Sequence, residues 1–283
     1  NATHLAATIG PRPAGTTGEQ QAAAWLATQF TNLGYAVTVE PFIFSRWGEQ
    51  TVGMNVVAVK AGQPDYGTIY LGAHYDAVPQ PANVPGANDN ASGVGVLVEA
   101  ARILAGQPIS PTLTLIAFGA EEDHLVGSHV YTANLSAVER MLALGMFNLD
   151  CVGIGDQLAL NVAARDQLAF AQGLGVTADT IEYAPDANSD HVRFATVGIP
   201  AVYFNLSYAG QHACGPDYHS PGDTADKLEL AALERSGTAL LTAVETLAQQ
   251  ATPQPIRHLY LPLLQAAAAS DTAALPDDEL LRR

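Results

Sequence analysis

Five side chains, His74, Asp89, Glu122, Asp150 and His219, have the chemistry of ligands for zinc or a similar borderline metal. One carboxylate shared between two ions, with two further ligands on each, makes five side chains enough for a two-metal site with ions about 3.5–4 Å apart. Each has a plain structural explanation when taken singly. A histidine at a strand end packs, an aspartate ahead of a helix caps it, and an acidic pair after a strand forms a solvated turn. Their joint occurrence is what favours chemistry.

The elements that must position them can be read from the apolar pattern. Thr68–Ala73 is a short apolar run without helical spacing and reads as a buried strand. It delivers His74 and Asp76, which a period of two turns to the same side. A Pro- and Gly-rich loop leads to Asn88-Asp89-Asn90 and a helix over 92–105. Thr112–Phe118 is a second buried strand, with Glu121-Glu122-Asp123 just past its end. Leu142–Leu149 is a third, ending at Asp150, and Gln157–Val162 and Ile199–Leu206 are further strands. Residues 18–34, 126–134, 166–174, 190–196 and 227–250 read as helices, with a short turn or helix at 136–140 and Gly34 at a C-terminal cap. Tyr35–Ser45 and Thr51–Lys60 form an early hairpin, and Tyr208–Asp223 is a long irregular loop of the kind that carries function. Strands alternating with helices predict an α/β three-layer sandwich: a mostly parallel mixed central sheet, an antiparallel edge hairpin and helices on both faces. Ligands then gather at the carboxyl ends of the strands, where open α/β sheets place their sites. Residues 1–250 form the expected domain; 251–283 read as a linker and tail, with an apolar patch at Leu259–Leu264 that could dock on the body.

Six segments carry a family resemblance: HYDAV at 74–78, GANDNASGVGVLVEAAR at 86–102, FGAEEDHLVGSHVY at 118–131, NLDCVG at 148–153, SDHVRFATVGIPAVYF at 189–204 and YHSPGDTADKL at 218–228. In this order they resemble the co-catalytic zinc aminopeptidases of the M28 peptidase family, across roughly residues 15–250. The resemblance implies two Zn2+ per chain and peptide substrates with a free N-terminus. Asp89 would be the bridging carboxylate, with His74 and Asp150 completing one metal and Glu122 and His219 the other. Glu121 resembles the general base that takes a proton from the attacking water and returns it to the leaving amine. Asp76 would hydrogen-bond His74 and fix its tautomer. The resemblance also implies a cis peptide at Asp89-Asn90.

The match is not complete. Some members carry a tyrosine shortly before the SDH motif to stabilise the oxyanion; here Asp186 stands in register and Tyr183 is displaced. Tyr183, His191 or a metal alone therefore remain open for that task. Ser189-Asp190-His191 is not a catalytic triad, because adjacent helical residues point in different directions; a helix cap by Ser189 or Asp190 is the expectation. His124, His129 and His212 are expected to serve surface or packing roles. Cys151, directly after a ligand, is expected to line the substrate pocket, with burial as a small apolar residue the alternative. Tyr203, Phe204 and Tyr208 are expected to shape a pocket for an apolar or neutral first residue, with core packing the alternative.

Composition narrows the rest. In 283 residues, 48% apolar and 14% charged content describes a well-packed globular chain. A formal charge of −16 argues against nucleic acid as a partner. No apolar run reaches the ~18 residues of a spanning helix. Two cysteines, Cys151 and Cys214, make no disulfide framework, though they could pair. The chain begins at Asn1 and is poor in lysine, which together with the resemblance leads us to expect an exported, monomeric protein. The competing functions are a single-zinc glutaminyl-cyclase-like acyltransferase, a non-catalytic ectodomain with a decayed site, and a carboxypeptidase or dipeptidase of the same family. NDNASGVG at 88–95 favours the peptidase form over the cyclase, and the full ligand set argues against decay. A preference for acidic dipeptides would want more cations near the motifs than Arg102 and Arg193.

Overall fold

The computed structural model describes residues 1–253. The expectations for the segment beyond, including a docked Leu259–Leu264 patch, lie outside the described residues. An eight-stranded sheet runs in the order β1-β2-β4-β3-β5-β8-β6-β7. Its strands are β1 (Ala36–Arg46), β2 (Glu49–Lys60), β3 (Thr68–His74), β4 (Thr112–Phe118), β5 (Ala143–Leu149), β6 (Gln157–Val162), β7 (Thr180–Tyr183) and β8 (Ala201–Ser207). The central strands β4, β3, β5 and β8 are mutually parallel. The early hairpin forms the antiparallel edge, with β2 also antiparallel to β4. At the other edge β6 runs antiparallel to β8 and carries β7 beside it, which the sequence reading did not anticipate.

Burial explains the apolar runs. β3, β4 and β5 are covered on both faces, so alternation disappears from their sequences. Within β3, Ile69, Leu71 and Ala73 pack towards α1 (Thr17–Asn32), α2 (Ser92–Ala105) and α7 (Leu230–Gln250). Tyr70 packs on the opposite face with Phe118, Met146 and Phe194, the last on α6 (His191–Thr196). Gly72 shares that face; a Cβ there would come within 2.6 Å of the Phe118 ring and 2.7 Å of the Met146 methyl group. The three-layer sandwich is therefore present, with α3 (Val126–Asn134) packed against α6 on the second face.

Local chemistry sets the ends of the helices. α1 is capped by Thr16, which accepts the Glu19 amide. It ends at left-handed Gly34, with the Gly34 amide donating to Thr31 and the Tyr35 amide to Phe30. α4 (Ala137–Leu142) opens on a capping box between Ser136 and Glu139. The expected helix over 166–174 is instead a 3₁₀ turn at Arg165–Gln167 followed by the short α5 (Leu168–Gln172). The last helix begins at Leu230, three residues later than its apolar spacing suggests, after a 3₁₀ turn at Ala225–Lys227.

Candidate metal centre

The carboxyl ends of β3, β4 and β5 and the loop before α7 converge. His74 closes β3, Asp150 follows β5, and Glu121 and Glu122 lie three and four residues past β4. Asp89 sits in the turn ahead of α2, and His219 in the long loop. His74 Nε2 lies 3.2 Å from Asp89 Oδ1 and 3.4 Å from Asp150 Oδ1. His219 Nε2 lies 3.2 Å from the other Asp89 oxygen, Oδ2, and 2.9 Å from Glu122 Oε2. The five side chains thus fall into two sets that share Asp89. Glu121 also offers an oxygen within the His74–Asp150 group.

Backbone and side-chain hydrogen bonds hold these groups. Asp223 accepts the amides of Asn88 and Asp89, at 2.7 and 3.0 Å, and fixes the turn that presents Asp89. In the same turn Asn90 donates to the Leu149 carbonyl and accepts the Gly93 amide, tying α2 to the end of β5. The Asp89-Asn90 peptide is cis, as the family resemblance implied. Asp150 Oδ2 accepts the Ser189 hydroxyl at 2.8 Å, and Asn148 donates to the same hydroxyl oxygen. The Ser189 hydroxyl is thus engaged with Asp150 and Asn148 and is not the expected cap, and Asp190, although at the cap position of α6, makes no side-chain cap bond. Asp76 also differs from expectation. Its Oδ1 lies 3.6 Å from His74 Nδ1, too far for a hydrogen bond. Its oxygens instead accept the amides of Glu121 and Glu122, at 3.1 and 3.3 Å, and so set the backbone that aims both carboxylates. Asp123, next in line, pairs with Arg46 at the end of β1.

The electrostatics call for added positive charge. Burial and neighbouring carboxylates push Glu122 up to about 7 and raise Glu121 well above its ordinary value. Burial likewise raises Asp190 to about 7. Arg12 is a fully buried guanidinium nearby, lowered to about 10 by desolvation. It donates to the carbonyls of Tyr75 and Gly86, stapling the end of β3 to the loop leading to Asp89. His219 Nε2 and Glu122 Oε1 make no hydrogen bond, although the first lies at contact distance from two carboxylates. Imidazole nitrogens and carboxylate oxygens that converge at 2.9–3.4 Å form a donor set that fits a cation between them, so the residues present suit zinc. The oxygens and nitrogens, not the sulfurs, carry this fit, since Cys151 and Cys214 near Asp89 are bonded to each other.

A cleft of about 360 Å³ adjoins the centre and is bounded by Asp89, Glu121, Asp150, Tyr203 and Tyr218 among others. Three expected pocket residues lie elsewhere. Cys151, at a left-handed φ of 55°, is fully buried and forms a disulfide with Cys214, and Cys214 is the one of the pair at the cleft. Phe204 points to the core, edge-on to Phe147, because one step along β8 reverses the face. Tyr208 is exposed and donates to Glu229 at the start of α7. Tyr203 does line the cleft, with its ring stacked on the buried His191. Of the side chains left open for the oxyanion, Tyr183 lies under the Arg165 guanidinium and His191 is fully buried. Tyr218, which sequence reasoning passed over, is at the cleft against the His219 ring. His212 also reaches the cleft, its ring tilted against that of Tyr218, while His124 and His129 are exposed away from it.

Comparison with known proteins matches Peptidase family M28 to residues 55–244. Aminopeptidase YwaD of Bacillus subtilis is 32% identical over 219 residues, 72% of this chain and 47% of its own length. The chain spans about half the length of the curated relatives it matches. A solved zinc aminopeptidase from Bacillus subtilis, BSAP, aligns with a TM-score of 0.76 at 21% identity, covering 86% of this chain and 92% of its own. Porphyromonas gingivalis glutaminyl cyclase aligns with a TM-score of 0.73 at 23% identity, covering 86% and 96%.

Proposed function

From a chain that belongs to Peptidase family M28, we propose an aminopeptidase that holds two zinc ions and removes N-terminal residues from peptides. The observation that carries this is the division of Asp89, one oxygen towards His74 and the other towards His219. His74, Asp89 and Asp150 would hold one ion, and Asp89, Glu122 and His219 the other. Bound there, zinc supplies Lewis-acid polarisation of the scissile carbonyl and a lowered water pKa.

The chain's own residues supply the rest. Glu121, beside the ligands but outside both sets, takes the proton of the attacking water and passes it to the leaving amine. Burial raises its carboxyl, which suits a group that must hold that proton between the two transfers. Tyr218 stays protonated, because burial and the surrounding carboxylates raise its phenol, so it can donate to the developing oxyanion. The carboxylates around the cleft attract a free α-amine, and this would restrict cleavage to chain ends. We assign the activity to residues 1–250. The Cys151–Cys214 disulfide supports an oxidising, exported location, and among the described residues no helix is long and apolar enough to cross a membrane.

The test is hydrolysis of aminoacyl-p-nitroanilides, free and N-acetylated, by protein with a counted number of metal ions. Cleavage of free substrates only, lost on chelation and dependent on a second equivalent of zinc, is the expected result. Retention of full activity at one equivalent removes the shared role of Asp89. Cyclisation of an N-terminal glutamine peptide without hydrolysis would replace the reading with a cyclase.

A further inference from the structure

The lead-in to α1, IGPRPAGT at residues 9–16, supplies no ligand, yet Arg12 within it touches the segments that do. Arg12 is fully buried. Its guanidinium donates to four backbone carbonyls, those of Tyr75 and Pro85 at 2.5 Å, Gly86 at 2.7 Å and Gly10 at 3.2 Å. None of these partners is a carboxylate. A planar fork that reaches carbonyls on separate segments joins those segments. Tyr75 stands between His74 and Asp76, and Asp76 accepts the Glu121 and Glu122 amides. Gly86 opens the turn that presents Asp89. A Cβ on Gly86 would come within 2.5 Å of the Asp89 carbonyl oxygen and 3.2 Å of Arg12 Nη2, so no side chain fits between the guanidinium and the turn. The main chain joins in, with the Ala77 amide donating to the Arg12 carbonyl at 3.3 Å. The intervening loop carries Pro79, Pro81 and Pro85, which have no amide to donate. Arg12 supplies donors where that loop lacks them.

We propose that Arg12 is a positioning residue for the metal centre: its guanidinium fork, rather than its charge, fixes Asp89 against His74. The inference rests on the two-metal reading above and deepens it. Two clamps hold the turn of Asp89. Asp223 is the first: its carbonyl accepts the Ala87 amide at 3.2 Å and its carboxylate accepts those of Asn88 and Asp89. That clamp sets Asp89 relative to the loop of His219. Arg12 is the second and sets Asp89 relative to the end of β3. Together they turn Oδ1 towards His74 and Oδ2 towards His219. A lysine keeps the charge but gathers its donors on one nitrogen, and so cannot span carbonyls on separate sides of a planar fork. Burial lowers Arg12 to about 10, opposed by the charges of Asp76, Asp223, Asp89 and Glu122, and it stays a cation at neutral pH. Charge alone acts against zinc, because a buried cation beside the centre repels another. Loss of the charge by itself would tighten zinc binding, whereas loss of the fork weakens it.

The test compares zinc affinity by chelator competition in the wild-type full chain, Arg12→Lys, Arg12→Gln and Leu26→Ala, each at a temperature where circular dichroism shows it folded. Leu26 is a fully buried core residue of α1 and controls for lost stability. Both Arg12 variants are expected to bind zinc about 10–100-fold more weakly, the usual effect of losing a partner that orients a ligand. At saturating zinc, their kcat for a free aminoacyl-p-nitroanilide is expected to fall about 10²-fold with KM little changed, as for a misplaced group. Leu26→Ala is expected to lower Tm and keep the wild-type zinc affinity. Wild-type affinity in Arg12→Lys, or tighter binding in Arg12→Gln, assigns the effect to charge and overturns the inference. A loss in Leu26→Ala equal to that in the Arg12 variants also overturns it. A second measurement needs no variant. Coupling is reciprocal, so zinc is expected to slow hydrogen exchange of the Arg12 guanidinium protons in the wild-type chain, read by nuclear magnetic resonance. Exchange indifferent to zinc overturns the inference. Affinities and exchange rates decide the role of Arg12 whether or not peptides are cleaved, so failure of the aminopeptidase reading shows separately, in the hydrolysis assay. A wild-type chain that binds no zinc removes both.

Discussion

Ser189 donates its hydroxyl proton to Asp150 Oδ2 at 2.8 Å, while Asp150 Oδ1 stays turned towards His74. The serine of an SDH motif is thus an orienting group for a carboxylate. Ser189→Ala is expected to weaken zinc binding about 10–100-fold, the usual effect of losing such a partner. Activity should return at saturating zinc. Chelator competition measures the first effect and titration of activity with zinc the second. Loss of activity that no amount of zinc restores would mean that Ser189 acts in the chemistry itself.

Glu121→Gln keeps the shape of the group and removes its basicity. The expected outcome is a fall in kcat of about 10²–10⁴-fold with KM little changed. Two zinc ions per chain should still be counted by elemental analysis, since neither proposed ligand set includes Glu121.

Chelation should lower Tm as well as activity. Glu121, Glu122 and Asp190 are buried carboxylates that the fold crowds together, and a cation that binds only the folded chain stabilises it by mass action. Zinc at 100 times its dissociation constant is expected to add about 2.7 kcal/mol. Calorimetric scans at several zinc concentrations check this, and a Tm independent of zinc contradicts the centre.

His191 gives a pH dependence with a definite sign. Burial lowers its imidazole to about 3, against about 6.5 in an unfolded chain. The fold therefore holds it neutral. The stability this contributes is complete above about pH 6.5 and is lost as pH falls towards 3, by ~5 kcal/mol at most. His191→Phe, which keeps a ring against Tyr203, should flatten that part of the acid limb in metal-free protein. Urea unfolding at pH 7 and at pH 4.5 makes the comparison.

The Cys151–Cys214 bond closes a loop with a sequence separation of 63 residues. Replacing both cysteines with serine is expected to cost ~4 kcal/mol by loop-closure entropy, measured as a lowered denaturation midpoint under non-reducing conditions.

The convergence of His74, Asp89, Glu122, Asp150 and His219 was legible because these residues lie in short segments whose types and order carry the chemistry, and because strand ends are readable from apolar runs. The central strands were bounded to within a residue or two for the same reason: a strand buried on both faces is apolar at nearly every position, with Thr114 in β4 and Asn148 in β5 as buried polar exceptions. What period-two reasoning could not supply was the face. Tyr203 and Phe204 are adjacent and aromatic, and only the pairing of β8 with β5 and β6 decides which meets the cleft. Tyr218 lies in an irregular loop, where spacing carries no direction. Arg12 stands in a turn-rich lead-in, and nothing local signals that a guanidinium there is fully buried. The edge strand β7 is four residues long and half exposed, too short for a periodic signal.

His74 is 1% exposed and rises from a central strand, whereas the His219 side chain is 33% exposed and comes from a loop. The two histidines that meet on Asp89 therefore belong to surroundings of different permanence. In the proposed centre, exchange of an ion at the His74 side would require the strand ends to part, and at the His219 side only a movement of the loop. The expected consequence is kinetic: if Asp89 bridges two ions as proposed, the loop-held one leaves first.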